Sequence, residues 1–154
     1  MLTVGSPAPS FHYQTAAGET KSTDGLRGTP YIVYFYPRDD TPGCTKEACG
    51  FRDQAEAFGT KGIEVIGVSG DSEASHAKFR TKYALPFALA SDPDHTITKA
   101  FGAWGKKKFM GREYEGIHRI TFIVDKDGKI AHVYQQVKPE THAETILQDL
   151  NQIL

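Results

Sequence analysis

The run Tyr31-Ile32-Val33-Tyr34-Phe35-Tyr36, stopped by Pro37, constrains the fold more than any other stretch of this chain. Consecutive apolar, aromatic and β-branched residues leave no polar face for water, so the strand they form must be covered on both sides. A chain of 154 residues can supply that cover, because a domain this long buries roughly two-thirds of its unfolded surface without disulfide staples. Around this strand the signals alternate. Phe11–Gln14 begins a short hairpin that turns near Gly18, and Glu64–Ser69 reads as a second buried strand. A helix is predicted from about Cys44 to Phe58, and Asp71 or Ser72 caps another that runs to about Tyr83. Ser91–Asp94 forms a turn before a short helix at Thr96–Phe101. Arg119–Val124 and Lys129–Tyr134 flank Asp125-Lys126-Asp127-Gly128, whose Asp-Gly step signals a hairpin. The last helix presents Ile146, Leu147, Leu150, Ile153 and Leu154 on one face. Strand–helix–strand–helix followed by a hairpin and a helix predicts an α/β fold, a mixed sheet between helices. No composition break or repeat divides residues 1–154, so a single domain is expected.

Charge and motif content narrow the function. Eighteen Lys and Arg against nineteen Asp and Glu leave a net charge of −1, which offers nothing to nucleic acid or to an anionic membrane. The longest apolar run is far too short to cross a bilayer. Met1–Pro7 lacks the basic start and apolar stretch of a secretory signal, so a cytoplasmic protein is expected. The six histidines have no H-x-x-x-H spacing, and two cysteines cannot complete a four-ligand zinc site, so no metal is expected. Gly102-Ala103-Trp104-Gly105-Lys106 lacks the spacing of a phosphate loop. Asp39 and Asp40 read as a solvated loop before a helix N-terminus, and His118 as a strand-end histidine. Lys106-Lys107-Lys108 with Arg112 reads as a solvated basic loop, with docking of an acidic reductase as the alternative. Trp104 and Phe109 beside it serve either such a partner or the core.

The chemistry lies around Cys44. Thr41-Pro42 reads as an N-cap followed by proline at the first helical position. Cys44 then falls in the first turn, beside unpaired backbone donors and the positive end of the helix dipole. A thiolate there is stabilised, so its pKa is expected below the roughly 8.5 of a free cysteine. Gly43 leaves the loop side of the sulfur open to a small substrate. A cation would stabilise the thiolate further and polarise a peroxide oxygen. Arg38 and Arg119 both suit by type, and Arg119 is preferred because a strand holds its guanidinium rigidly. Cys49 lies five residues beyond Cys44, so on one helix the two Cα atoms stand roughly 8–9 Å apart. A disulfide spans about 4.4–6.8 Å, so the pair can bond only if the first turns unwind. Cys49 also suits a core position beside Ala48 and Phe51. The residues alone leave open a peroxide-reactive thiol, a general thiol–disulfide exchanger, and a scaffold with inert thiols. The absence of C-x-x-C weighs against the exchanger.

Tyr36-Pro37-x-x-x-Thr41-x-x-Cys44 resembles the active-site signature of the peroxiredoxins. The longer string Asp39–Cys49 is similar to the Q subfamily, also called bacterioferritin comigratory proteins, and the likeness continues through Gly116–Phe122 and Asp125–Gly128. The resemblance implies a thioredoxin-like fold with an N-terminal extension. It implies a thiol-dependent peroxidase that reduces hydrogen peroxide and organic hydroperoxides without metal or organic cofactor. Carried onto these positions, Cys44 is the peroxidatic cysteine, and Thr41 and Arg119 hold the peroxide. Pro37 shields the oxidised sulfur, Gly43 and Cys44 offer backbone donors, and Cys49 is the resolving cysteine. The expected partners are the peroxide and a thioredoxin-like dithiol reductant, and the expected assembly is a monomer or a weak dimer.

Overall fold

The computed structural model describes residues 2–154. Strand β3 (Tyr31–Phe35) is buried at every position and lies in the interior of a seven-stranded sheet. Its neighbours are β4 (Glu64–Ser69), which is parallel, and β8 (Ile120–Val124), which is antiparallel. Beyond β4 lies parallel β5 (Ala88–Ser91), and beyond β8 lies antiparallel β9 (Ile130–Tyr134). The N-terminal hairpin, β1 (His12–Gln14) with β2 (Thr20–Ser22), joins the edge at β5 through Gln14 and Leu89. A 3-10 turn at Thr23–Leu26 leads from β2 toward β3.

The period of two in β3 divides the interior into two cores. Ile32, Tyr34 and Tyr36 face helices α1 (Pro42–Asp53), α2 (Ala55–Thr60), α3 (Glu73–Tyr83) and α5 (His142–Ile153), where Phe51, Phe58, Phe79, Ile146 and Leu150 meet them. Tyr31, Val33 and Phe35 face the opposite way, onto Phe101 of α4 (Thr96–Phe101), Phe122 and Ile130. The double cover demanded by the apolar run is therefore present, as is the expected mixed sheet between helices. Among the described residues no helix is long and apolar enough to cross a membrane.

Local differences from expectation have identifiable causes. The helix predicted over 44–58 begins at Pro42 and is interrupted at Gln54, giving α1 and α2. Proline supplies the first helical φ without needing a donor, and the break lets Phe58 approach Phe51 with ring centroids 5.9 Å apart. Ser72 caps α3 by accepting from Ser75 N at 3.1 Å. Ala88–Ser91 is a strand, although only a turn near Ser91 was legible. Lys106–Lys108 is not a loop. It lies in β6 (Trp104–Phe109), which pairs with β7 (Arg112–Ile117) in a separate two-stranded hairpin. Met110 and Gly111 form its two-residue turn with φ of 52° and 78°, the positive values that match hairpin twist. Leu154 falls outside the packed face of α5 and is 46% exposed, while His142 and Ala143 take buried places at the other end.

Gly67 in β4 is the tightest contact point of the first core. A Cβ there would lie 2.8 Å from Tyr34 Cζ and 3.0 Å from Leu89 Cδ2. Tyr34 cannot yield, being stacked on Phe51 at 4.6 Å and on Tyr36 at 5.4 Å. Gly67→Ala is expected to cost about 1–3 kcal/mol through overpacking, read as a lower midpoint in urea unfolding at unchanged slope.

Candidate active site

Cys44 is the third residue of α1, counted from the Thr41 cap and Pro42. The first helical bond runs from Thr45 N to Thr41 O at 2.8 Å. The N–H groups of Gly43 and Cys44 therefore have no carbonyl to reach within the helix. The Thr41 side chain makes no cap; its hydroxyl donates to Arg38 O at 3.0 Å. Cys44 is 1% exposed, so its sulfur lies at the bottom of the site rather than on the surface.

Arg119 lies one residue before β8, the strand that pairs with β3. Its Nη2 donates to Cys44 Sγ at 3.3 Å, and its Nη1 donates to Glu47 Oε1 at 2.6 Å. Arg38, the other candidate cation, is exposed and offers only its carbonyl, to Thr41. Gly43 is the close neighbour on the loop side, since a Cβ there would meet Arg119 Nη2 at 3.3 Å and Pro139 Cγ at 3.9 Å. Pro37 is exposed at the end of the β3 run. Cys49 is half-buried on α1, both cysteines are free, and the helix is unbroken between them.

Glu47 was not singled out in the sequence. Its signal was available, because a residue three positions after Cys44 shares that helix face. It is 1% exposed, and burial pushes its carboxyl up to about 7 even though Arg119 pulls the other way. The same surroundings act on His142 at the start of α5. Burial first and Arg119 second push its imidazole down to about 4, and its Nε2 lies 2.7 Å from Thr121 Oγ1. Tyr34 is also driven well above its ordinary 10.0, chiefly by burial. The sulfur thus sits beside one guanidinium, which it shares with a carboxyl that titrates near neutrality.

Asp39 corrects an expectation. It is not a solvated loop residue but 9% exposed, accepting from Tyr36 Oη at 2.6 Å and Ser75 Oγ at 2.8 Å, with His76 Nδ1 2.7 Å away. Its own N–H donates to Asp71 Oδ2 at 2.8 Å, an oxygen that also accepts from Ser69 Oγ at 2.6 Å. Asp39, Asp71 and His76 lie close enough together to hold a metal ion, yet the atoms that face one another are engaged by these protein donors. Asp40 has φ of 55° and binds Lys82 Nζ at 2.7 Å and Tyr83 Oη at 2.6 Å. The cluster therefore bolts the loop before Cys44 to α3 at two points.

A buried carboxyl raised from 4.5 to about 7 keeps its proton in the native state after the unfolded chain has lost it. Its contribution to stability is complete below pH 4.5 and is lost as pH rises through 7. Relative to Glu47→Gln, the wild type should therefore lose on the order of 3 kcal/mol between pH 4 and pH 8. Parallel urea titrations across that range check this, and a constant difference between the two proteins would contradict it.

Known proteins share this arrangement of elements. The AhpC/TSA family model matches residues 4–133. The putative peroxiredoxin bcp of Coxiella burnetii is 45% identical over 146 residues, covering 95% of this chain and 97% of that one. Peroxiredoxin Bcp of Escherichia coli K12 is 42% identical over 146 residues, covering 95% and 94%. Among solved structures, a cysteine-to-serine mutant of Xylella fastidiosa PrxQ superposes with a TM-score of 0.90 at 29% identity, covering 99% and 97%. The bacterioferritin comigratory protein of Xanthomonas campestris, described for its alkyl peroxide reduction activity, superposes with a TM-score of 0.85 at 32% identity over 92% and 90%.

Proposed function

The chain belongs to the AhpC/TSA family, as a thiol-dependent peroxidase of the Bcp peroxiredoxin type, and from that premise we propose that Cys44 is its peroxidatic residue and Cys49 its resolving residue. The observation that carries the assignment is the Arg119 Nη2 bond to Cys44 Sγ at 3.3 Å, at the open N-terminus of α1. A cation bonds the sulfur in the first turn of a helix, an arrangement that stabilises negative charge on the sulfur and on a peroxide oxygen.

The Cys44 thiolate attacks the terminal peroxide oxygen. An S–O bond forms as the O–O bond breaks, and the departing oxygen leaves as an alcohol or water after taking a proton. Arg119 stabilises the charge on the oxygens during that exchange. With its proton committed to Arg38 O, the Thr41 hydroxyl offers the peroxide O–H an acceptor. Gly43 leaves room beside the guanidinium for the incoming oxygens. Pro37 is assigned the shielding of the oxidised sulfur from bulk water.

The Cys49 thiol then attacks Sγ of the Cys44 sulfenic acid. The S–S bond forms, and the hydroxyl leaves as water with the thiol proton. This requires the first turns of α1 to open, since an intact helix holds the two residues too far apart. A thioredoxin-like dithiol supplies two electrons to restore both thiols. The separation on one helix speaks against general thiol–disulfide exchange as the main activity. Because resolution needs no second chain, we assign the working form as a monomer, or at most a weak dimer, made of one domain in the cytoplasm.

Peroxide consumption by purified variants tests the roles. Cys44→Ser should abolish turnover, Arg119→Met should lower the rate about a hundredfold, and Cys49→Ser, without added reductant, should consume one equivalent of peroxide per chain and form no intrachain disulfide. Sustained turnover by Cys44→Ser would refute the assignment.

A further inference from the structure

The three lysines of β6 do not share one environment. Lys106 and Lys108 are exposed, whereas Lys107, between them, is half-buried. Lys107 Nζ donates at 2.8 Å to the carbonyl of Ile117, two residues before Arg119. Its stem lies over Gly116 of β7, where an added Cβ would come within 3.1 Å of Lys107 Cδ. Gly116 stands opposite Gly105 in the hairpin register, and the His118 ring lies over Gly105, its Nε2 3.0 Å from where a Cβ would stand. Burial pushes this ammonium below its ordinary 10.5, the Arg119 charge adds to that push, and Cys44 opposes it.

The charge balance around the sulfur gives this placement a purpose. Above about pH 7 Glu47 is ionised, so Arg119, Glu47 and a Cys44 thiolate together carry −1. His142 on α5, pushed down to about 4, and Tyr34 on β3, pushed well up, are neutral and add nothing. Arg119 and Glu47 cancel, so the buried thiolate's own charge is left unbalanced, and burying an unbalanced charge is penalised.

We propose that Lys107 is the second cation of the Cys44 site, a positioning residue that the β6–β7 hairpin folds inward to balance the Glu47–Arg119–Cys44 group. The proposal rests on Cys44 being the reactive thiol. In this view the hairpin is part of the active-site machinery rather than a surface ornament, and Lys106 and Lys108 have no share in it.

The test is the pH dependence of Cys44 alkylation by iodoacetamide, in a Cys49→Ser background that leaves one thiol. Lys107→Met should move the midpoint of the profile up by about half to one pH unit, which lowers the rate on the acid limb about threefold to tenfold. Lys107→Arg should return the midpoint to near the parent value, and Lys108→Met should leave it unmoved. Thermal melts of each variant record any loss of hairpin packing, a change that does not by itself move a titration midpoint. An unmoved midpoint in Lys107→Met, or equal shifts in the Met and Arg variants, would overturn the proposal. The profile is read without peroxide, so it decides the role of Lys107 independently of whether Cys44 reduces peroxide.

Discussion

Arg119 holds together two parts of the molecule that are distant in sequence, and the site exists only where they meet. One arm of its guanidinium binds Cys44 Sγ and the other binds Glu47 Oε1. Two ligands on one rigid, planar cation fix the rotation of α1 about its own axis relative to β8. The sheet supplies the other half of that precision, since β3 pairs with β8 from Phe35–Ile120 to Tyr31–Val124. The end of β3, which launches the loop to Cys44, is thereby set beside the start of β8, which carries Arg119. A slip of that register would separate the cation from the sulfur.

The same contacts define what must give way during turnover. Upstream of Cys44 the loop is fastened to α3 by Asp39 and Asp40. Downstream, Phe51 is sealed among Tyr34, Phe58, Phe87 and His142. Between these anchors lie the two cysteines, with Glu47 and Ala48 buried on the inner face. On the proposed roles of the two cysteines, α1 opens between these anchors, in the stretch that carries the Arg119–Cys44 and Arg119–Glu47 bonds. On the same proposal, the interactions that prepare the thiol also hold the resting site together, and oxidation of the sulfur removes one of them.

Much of this was legible in the sequence, and the reasons are specific. The β3 run declared its double burial because no polar residue interrupts it. Thr41-Pro42 marked a helix start that placed Cys44 in the first turn, where the structure has it. Arg119 was separable from Arg38 by its place at the mouth of a strand, one residue before β8. Other parts were hidden by competing signals. The β6–β7 hairpin alternates lysines and acids across from each other and turns on Met-Gly, so neither apolar periodicity nor a familiar turn pair announced it. Lys107 is a charged residue turned partly inward, and only the folded chain shows which of three adjacent lysines is covered, whereas Glu47 shares the Cys44 face of the helix by its spacing. Asp39 was misread because its partners, Ser75 and His76, lie over thirty residues away on α3.

The most direct test of the central claim, that Cys44 reacts first and Cys49 completes the cycle, is intact mass after brief exposure to stoichiometric hydrogen peroxide. Reduced wild type and Cys49→Ser are quenched side by side within seconds. The wild type should lose two hydrogens, while Cys49→Ser should gain one oxygen that a thiol reductant removes. Unchanged masses in both proteins would contradict the account, and so would an added oxygen in the wild type that never gives way to the disulfide.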